Sequence, residues 1–213
     1  MDKARVLGNV KDSVTGKPLI QPVRLQMGGQ EIEVKEGYFE SELPLGTYDV
    51  SITAEGFKDY STTVVLFQPL QTLYFILEPS EIGWLIRLVY AEAGGEPYLG
   101  KVGVAATVLN RVKSPSYPND ITSVIFQRVA GYVQYSPVAD GRLYLLPGPH
   151  DPEAEKRAYL ECIEAVKEAL AGADPTKGAV GFYNYHTVPW NNWVRRQPVT
   201  VDIGNHRFYG EGI

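Results

Sequence analysis

Apolar positions along the chain change their period near residue 80. Beyond it, Ile82, Leu85, Ile86 and Val89 recur at intervals of three and four, which predicts an amphipathic helix. Ser80 is placed to cap that helix and Glu81 to sit on its positive end. Val102, Ala105, Leu109 and Val112 repeat the spacing and predict a second helix from Pro97 to Lys113, ended by Ser114-Pro115. Gly103, Ala105 and Ala106 are small enough on this helix to let another helix come close. Asp120 is placed to cap a short helix carrying Val124, Ile125 and Phe126. Residues 127–150 are rich in Gly, Pro, Gln and Tyr and read as loop. Asp151-Pro152-Glu153 opens a further helix that ends near Ala171. After Lys177 the pattern is aromatic and irregular, with short strands expected at Val180–Tyr185 and Val199–Ile203.

Before residue 80 the period is two. Runs at Arg5–Val10, Val23–Met27, Tyr38-Phe39, Asp49–Ala54, Thr62–Leu66 and Leu73–Leu77 alternate with Gly, Pro and Asp clusters. About seven short strands with regular turns predict a small β-sandwich. The expected organisation is therefore multidomain: an all-β sandwich over residues 1–79 and a mainly α unit over residues 80–213, joined at Pro79-Ser80 without a flexible linker.

A length of 213 residues suits two modest domains. The net charge of −5 and the lack of any basic run argue against nucleic acid as the main partner. No segment is long and apolar enough for a membrane span, and Met1–Arg5 leads into a strand without the apolar core of a signal peptide. The lone cysteine, Cys162, lies in a helical pattern and has no partner for an internal disulfide.

The residue that changes the picture is Glu92. It falls three positions after Val89 and seven after Leu85, on the apolar side of its helix. Burial there would raise its pKa and keep it protonated near neutral pH, as a general acid requires. The alternative is a last-turn surface carboxylate. Gly94-Gly95 ends the helix and permits close approach, and Glu96-Pro97 opens the next one.

Two resemblances follow from longer motifs. In the first unit, Gly8-x-Val10, Asp12-x-x-Thr15-Gly16-x-Pro18-Leu19, Gly37-x-Phe39 and Leu43-Pro44-x-Gly46-Thr47-Tyr48 resemble the carboxypeptidase regulatory-like family. That resemblance implies a transthyretin-type sandwich. Tyr38, Phe39, Tyr48, Phe57 and Tyr60 admit two uses there, sandwich core or a sugar-binding face, and core is the commoner.

In the second unit, Tyr90–Val102, Ala105–Val112, Pro118–Ile121, Val124–Gln127, Gln134–Gly141, Asp174–Ala179, Phe182–Asn184 and Ile203–Phe208 resemble the cell wall hydrolases of the SleB/CwlJ type, the spore cortex-lytic enzymes. The resemblance implies a lysozyme-like, mainly helical (α+β) catalytic domain. It implies lytic transglycosylase action on peptidoglycan glycan strands, in the cell envelope or spore. The family's catalytic glutamate falls on Glu92, and no cofactor or metal is implied.

Such a reaction works with one carboxyl group. Hydrolysis of the usual kind needs a second, for which Asp140 and Glu96 are the candidates, although a turn residue and a helix-start residue are the simpler readings. Gln134, Tyr135 and Ser136 in the long loop, Tyr183 and Asn184 after a strand, and Trp193 beside Trp190 are the residue types that bind sugars. Asn110 reads as a buried hydrogen-bonding residue. A rival reading is a zinc amidase, but His150, His186 and His206 are dispersed and form no His-Glu-x-x-His. An inactive peptidoglycan-binding protein is the non-enzymatic alternative. No oligomeric state is specified.

Overall fold

The computed structural model describes residues 2–212. Two compact units emerge. The first runs to Gly83 and also includes Leu146–Lys156; the second holds Trp84–Leu145 and the chain from Arg157 onward. This division differs from the sequence boundary at 79/80 by the first helical turn and by the 146–156 segment. Side-chain chemistry that spacing does not reveal ties that segment in: the Lys17 ammonium donates to the Leu146 carbonyl (3.1 Å) and to Asp151 Oδ2 (2.7 Å). Lys156 similarly reaches Glu36 at 2.8 Å.

The first unit contains eight strands: β1 Lys3–Asp12, β2 Val23–Met27, β3 Gln30–Ile32, β4 Val34–Lys35, β5 Tyr38–Pro44, β6 Gly46–Ala54, β7 Tyr60–Leu66 and β8 Leu70–Leu77. They form two four-stranded sheets, β4-β5-β1-β8 and β3-β2-β6-β7. β1 lies antiparallel to β5 and parallel to β8. Both sheets feed one core. Ala4, Val6 and Val10 of β1, Leu43 of β5 and Leu77 of β8 meet Leu25, Met27, Ile52 and Leu66 of the other sheet. Alternation explains why: Lys3 and Arg5 point outward between the buried positions of β1, as period-two geometry requires.

The motif at Asp12 has a local cause. Asp12 accepts from the Val14 and Thr15 backbone N–H groups and from the Thr15 hydroxyl, folding a tight turn that Gly16 completes at φ 69°. The two uses open to the aromatics are now separated. Phe39 and Phe57 are buried and Tyr48 and Tyr60 pack against the core, whereas Tyr38 is 43% exposed.

The second unit contains α1 Glu81–Ala93 (its first turn lying in the first unit), α2 Tyr98–Lys113, α3 Ile121–Phe126, a two-residue hairpin of β9 Arg128–Val129 and β10 Tyr132–Val133, α4 Ser136–Asp140, a 3-10 turn at Arg142–Tyr144, and α5 Glu153–Leu170 from Arg157 onward. A sheet of order β11-β13-β12 follows, from β11 Gly181–Asn184, β12 Val199–Ile203 and β13 His206–Tyr209, with a 3-10 turn at Trp193–Arg196. Half of residues 127–150 thus lie in short strands and helices where composition predicts loop, and the stretch after Tyr144 is loop as expected. Elements of two to five residues are too short to show a period. Ser80 caps α1 by accepting from the Gly83 N–H at 3.2 Å, and Asp120 caps α3 by accepting from Ser123 N–H at 2.7 Å.

α2 is the most buried helix face of this unit, from Gly100 through Val108. The small residue Gly103 admits an aromatic ring of β13 instead of the expected helix. A Cβ there would lie 2.8 Å from the Phe208 ring. Asn110 spans two connections, donating to Asp174 Oδ2 at 3.0 Å and to the Ala179 carbonyl at 2.9 Å. Cys162 is fully buried in α5, and burial pushes its thiol up to about 12. Among the described residues, no helix is long and apolar enough to cross a membrane.

Candidate active site

Glu92 is the penultimate residue of α1. The helix reaches it through Leu85, Ile86, Leu88 and Val89, each at most 1% exposed, so its apolar side is anchored and the half-buried carboxyl is held at the edge of that core. Gly94 closes the helix by donating to the Tyr90 carbonyl at 3.0 Å, and Glu96 N–H donates to the Ala93 carbonyl at 3.0 Å. Neither glycine of this turn adopts a left-handed φ. A Cβ on Gly95 would meet nothing within 4 Å, so this side of the turn is open space.

Burial pushes the Glu92 carboxyl up to about 7; Arg142 opposes that rise and Asp140 adds to it. Both come from the segment that composition had marked as loop. The Arg142 guanidinium donates to the Ala91 carbonyl at 2.8 Å, to Ser136 Oγ at 3.0 Å and to Asp140 Oδ2 at 2.9 Å. It therefore fastens α4 to the end of α1. Asp140 Oδ1 accepts from the Arg142 N–H at 3.0 Å, so both carboxylate oxygens are engaged. These bonds hold the Asp140 pKa below its ordinary value.

Tyr135 is 4% exposed, and its hydroxyl is buried without a hydrogen-bond partner among the described residues. Desolvation pushes it up to about 12, with Arg111 opposing and Glu92 adding to the rise. Arg111 lies 5.0 Å from the Tyr135 ring centre and 5.0 Å from that of Tyr117. It also donates to the Val180 carbonyl and hydrogen-bonds Tyr209. The Tyr209 ring stands 6.4 Å from that of Tyr183. A chain of rings and cations thus runs from Glu92 through Tyr135, Arg111 and Tyr209 to Tyr183.

The residues expected at the site divide accordingly. Glu92, Asp140, Tyr135 and Ser136 are brought together. Gln134 precedes them on the exposed side, its amide donating to the Tyr132 carbonyl at 3.3 Å. Tyr183 is 7% exposed with Arg195 5.7 Å from its ring centre. Asn184 Oδ1 accepts from His186 N–H at 3.0 Å, closing the turn after β11. Trp193 is 63% exposed at the start of its 3-10 turn. Glu96 faces elsewhere: its oxygens accept from the Asn205 N–H (2.8 Å) and side-chain amide (2.9 Å) in the β12–β13 turn. Arg142 and Arg111 went unassigned in the sequence, because nothing in a spacing marks which carbonyls and rings an arginine will meet.

His206 is buried, and burial holds its pKa below the ordinary value although Glu96 opposes this. His150 and His186 are exposed. Among the described residues, no three His, Cys, Asp or Glu side chains are grouped to hold a metal ion.

The sequence profile of the Cell Wall Hydrolase family matches residues 95–209. The chain belongs to that family. Its cell wall hydrolase domain is similar to curated spore cortex-lytic enzymes. It is 40% identical over 129 residues to that of Bacillus cereus, covering 61% of this chain and 44% of the relative. It is 38% identical to that of Halalkalibacterium halodurans, covering 61% and 34%. The chain thus spans about a third to somewhat under half of these relatives' length. Two solved structures also align: the catalytic domain of the Bacillus cereus SleB protein, at 38% identity and TM-score 0.48, covering 61% of this chain and 88% of that one; and the catalytic domain of the germination-specific lytic transglycosylase SleB of Bacillus anthracis, at 37% identity and TM-score 0.49, covering 61% and 93%. The expected resemblance of the second unit to this family holds. Glu92 lies three residues before the matched span.

Proposed function

We propose that the cell wall hydrolase domain cleaves peptidoglycan glycan strands as a lytic transglycosylase, with Glu92 as its general acid and base. The observation that carries this reading is a single desolvated carboxyl, pushed to about 7, beside the open turn at Gly95. At neutral pH such a group is poised between donor and acceptor. Glu92 gives its proton to the glycosidic oxygen between N-acetylmuramic acid and N-acetylglucosamine as the bond to the anomeric carbon breaks. The muramic 6-hydroxyl then attacks that carbon, and its proton returns to Glu92. The product carries a 1,6-anhydro ring and no water is consumed.

Asp140 is the only expected second carboxylate near Glu92, and Arg142 engages both of its oxygens. That favours one-carboxylate chemistry over hydrolysis, which needs a free base or nucleophile. Glu96 is committed to Asn205. In this reading Gln134, Ser136 and Trp193 contact the sugar chain from exposed positions. Tyr135, Tyr183 and Asn184 shape the cleft from behind. The domain over residues 80–213 is the lysozyme-like catalytic part, and residues 1–79 form a transthyretin-type sandwich of the carboxypeptidase regulatory-like kind. The site of action is the bacterial wall or spore cortex.

The test digests purified vegetative and cortex peptidoglycan with wild type and with Glu92→Gln and reads the fragments by mass spectrometry. Anhydro-muramic ends from wild type alone support the reading. Reducing ends, or free stem peptides from an activity that a chelator abolishes, overturn it.

A further inference from the structure

The outward face of the first sheet carries an arrangement that the cleavage site does not use. Asn9 of β1 is paired in register with Tyr38 of β5 on one side and with Tyr74 of β8 on the other. The three side chains therefore form one row across the sheet. The tyrosines are 43% and 63% exposed. Two inter-strand spacings put them roughly 9.5 Å apart. The next row is Glu40, Leu7 and Thr72, again in register. Together these residues line a groove of about 460 Å³.

Three features give the groove a ligand chemistry. Two exposed rings with Asn9 between them suit pyranose rings, whose C–H faces stack while their hydroxyl and amide groups seek partners. The Asn9 side chain makes no hydrogen bond to any described residue, and its Oδ1 is buried. A buried acceptor left unpaired is costly, and a donor from a ligand would satisfy it. Finally, Lys11 stands 5.4 Å from the Tyr74 ring centre and has no carboxylate within ion-pair distance among the described residues. An unpaired cation beside a stacking ring complements a sugar that bears a carboxylate.

We propose that this face is a glycan-binding platform that grips wall strands containing carboxylated sugars, holding the chain on its substrate. The choice of ligand rests on the wall-cleaving reading above; the binding itself does not need Glu92 to work. Tyr38 and Tyr74 stack on alternate rings, Asn9 and Thr72 meet amide and hydroxyl groups, and Lys11 pairs with the free lactyl carboxylate of muramic acid that carries no stem peptide.

The test uses the full chain carrying Glu92→Gln, so that the wall is not consumed. Co-sedimentation with insoluble peptidoglycan is measured with and without Tyr38→Ala and Tyr74→Ala. Retention is expected to fall about ten-fold or more in the double variant and to survive Tyr38→Phe/Tyr74→Phe. Tyr74→Ala alone, on an exposed edge-strand position, gives the same direction without risk to the core. A soluble tetrasaccharide of alternating N-acetylglucosamine and N-acetylmuramic acid should bind more tightly than chitotetraose, and Lys11→Gln should erase that difference. Unchanged retention in folded Tyr38→Ala/Tyr74→Ala overturns the proposal. So does a loss of self-association with retention intact, which would make the face a contact between copies. Tyrosine-dependent binding without anhydro products from wild type would remove the cleavage reading and leave this one standing.

Discussion

Glu92 and Glu96 are four residues apart, one closing α1 and the other preceding α2, and their surroundings are opposite. Glu96 meets two donors of Asn205, one for each oxygen. Around it the chain closes so tightly that a Cβ on Gly204 would lie 2.2 Å from Glu96 Oε2. Glu92 is half-buried and partly desolvated, with Arg142 directing its donors to Ala91, Ser136 and Asp140. A carboxylate supplied with donors is a fastener. One held partly desolvated and left to exchange protons is a reagent.

The contrast is sharpest in activity. Glu92→Gln is expected to lower turnover of peptidoglycan by about a thousand-fold, whereas Glu96→Gln stays within about three-fold of wild type. Release of soluble muropeptides measures both, and equal losses would erase the distinction.

Stability should move the other way. The Glu92 carboxyl ionises near 4.5 in the unfolded chain and near 7 in the folded one, so folding is disfavoured progressively as pH rises between those values. Glu92→Gln removes that cost. It should stabilise the fold by at most about 3 kcal/mol at pH 8 and by almost nothing at pH 4. Denaturant titrations at the two pH values measure this. Glu96→Ala, by contrast, should cost about 1–2 kcal/mol at pH 8, through the lost bonds to Asn205.

The smallest effects concern tuning. Activity that depends on protonated Glu92 falls as pH rises through about 7. Arg142→Gln takes away a cation that favours the ionised form, so the alkaline limb should move upward; turnover should also drop about ten-fold as α4 loosens from α1. Asp140→Asn takes away a like charge and should move the limb downward. Shifts in the same direction would show that the pair does not act on Glu92 through charge.

Helices of a dozen or more residues were legible in the sequence because three turns suffice to display a period. Ser80 and Asp120 were legible because their side chains have few uses in those positions; Asn110 was legible as a hydrogen-bonding residue, although it is half-buried and not buried. The hairpin and short helices between Arg128 and Tyr144 were not, since each is shorter than the window in which a pattern can register. Strand β13 escaped for the same reason, with four residues and a histidine where an apolar residue would mark the buried face. In β8 the obstacle was different. Leu73, Tyr74, Phe75, Ile76 and Leu77 are apolar on both faces, so alternation did not reveal that Tyr74 and Ile76 point outward. At the site, Glu92 stood out as a charge among apolar positions. Asp140 stood out as a candidate second carboxylate, but Arg142 did not, because its meaning arises from contact with α1, some fifty residues earlier in the chain.

The buried thiol of Cys162 makes this chain a convenient optical instrument. With its ionisation pushed to about 12, it offers almost no thiolate to a maleimide at neutral pH. A cysteine engineered beside Trp193 or on the outer strand β8 would therefore take up a fluorophore alone. Occupancy of the site around Trp193 and of the tyrosine face could then be followed separately, one in each single-cysteine variant.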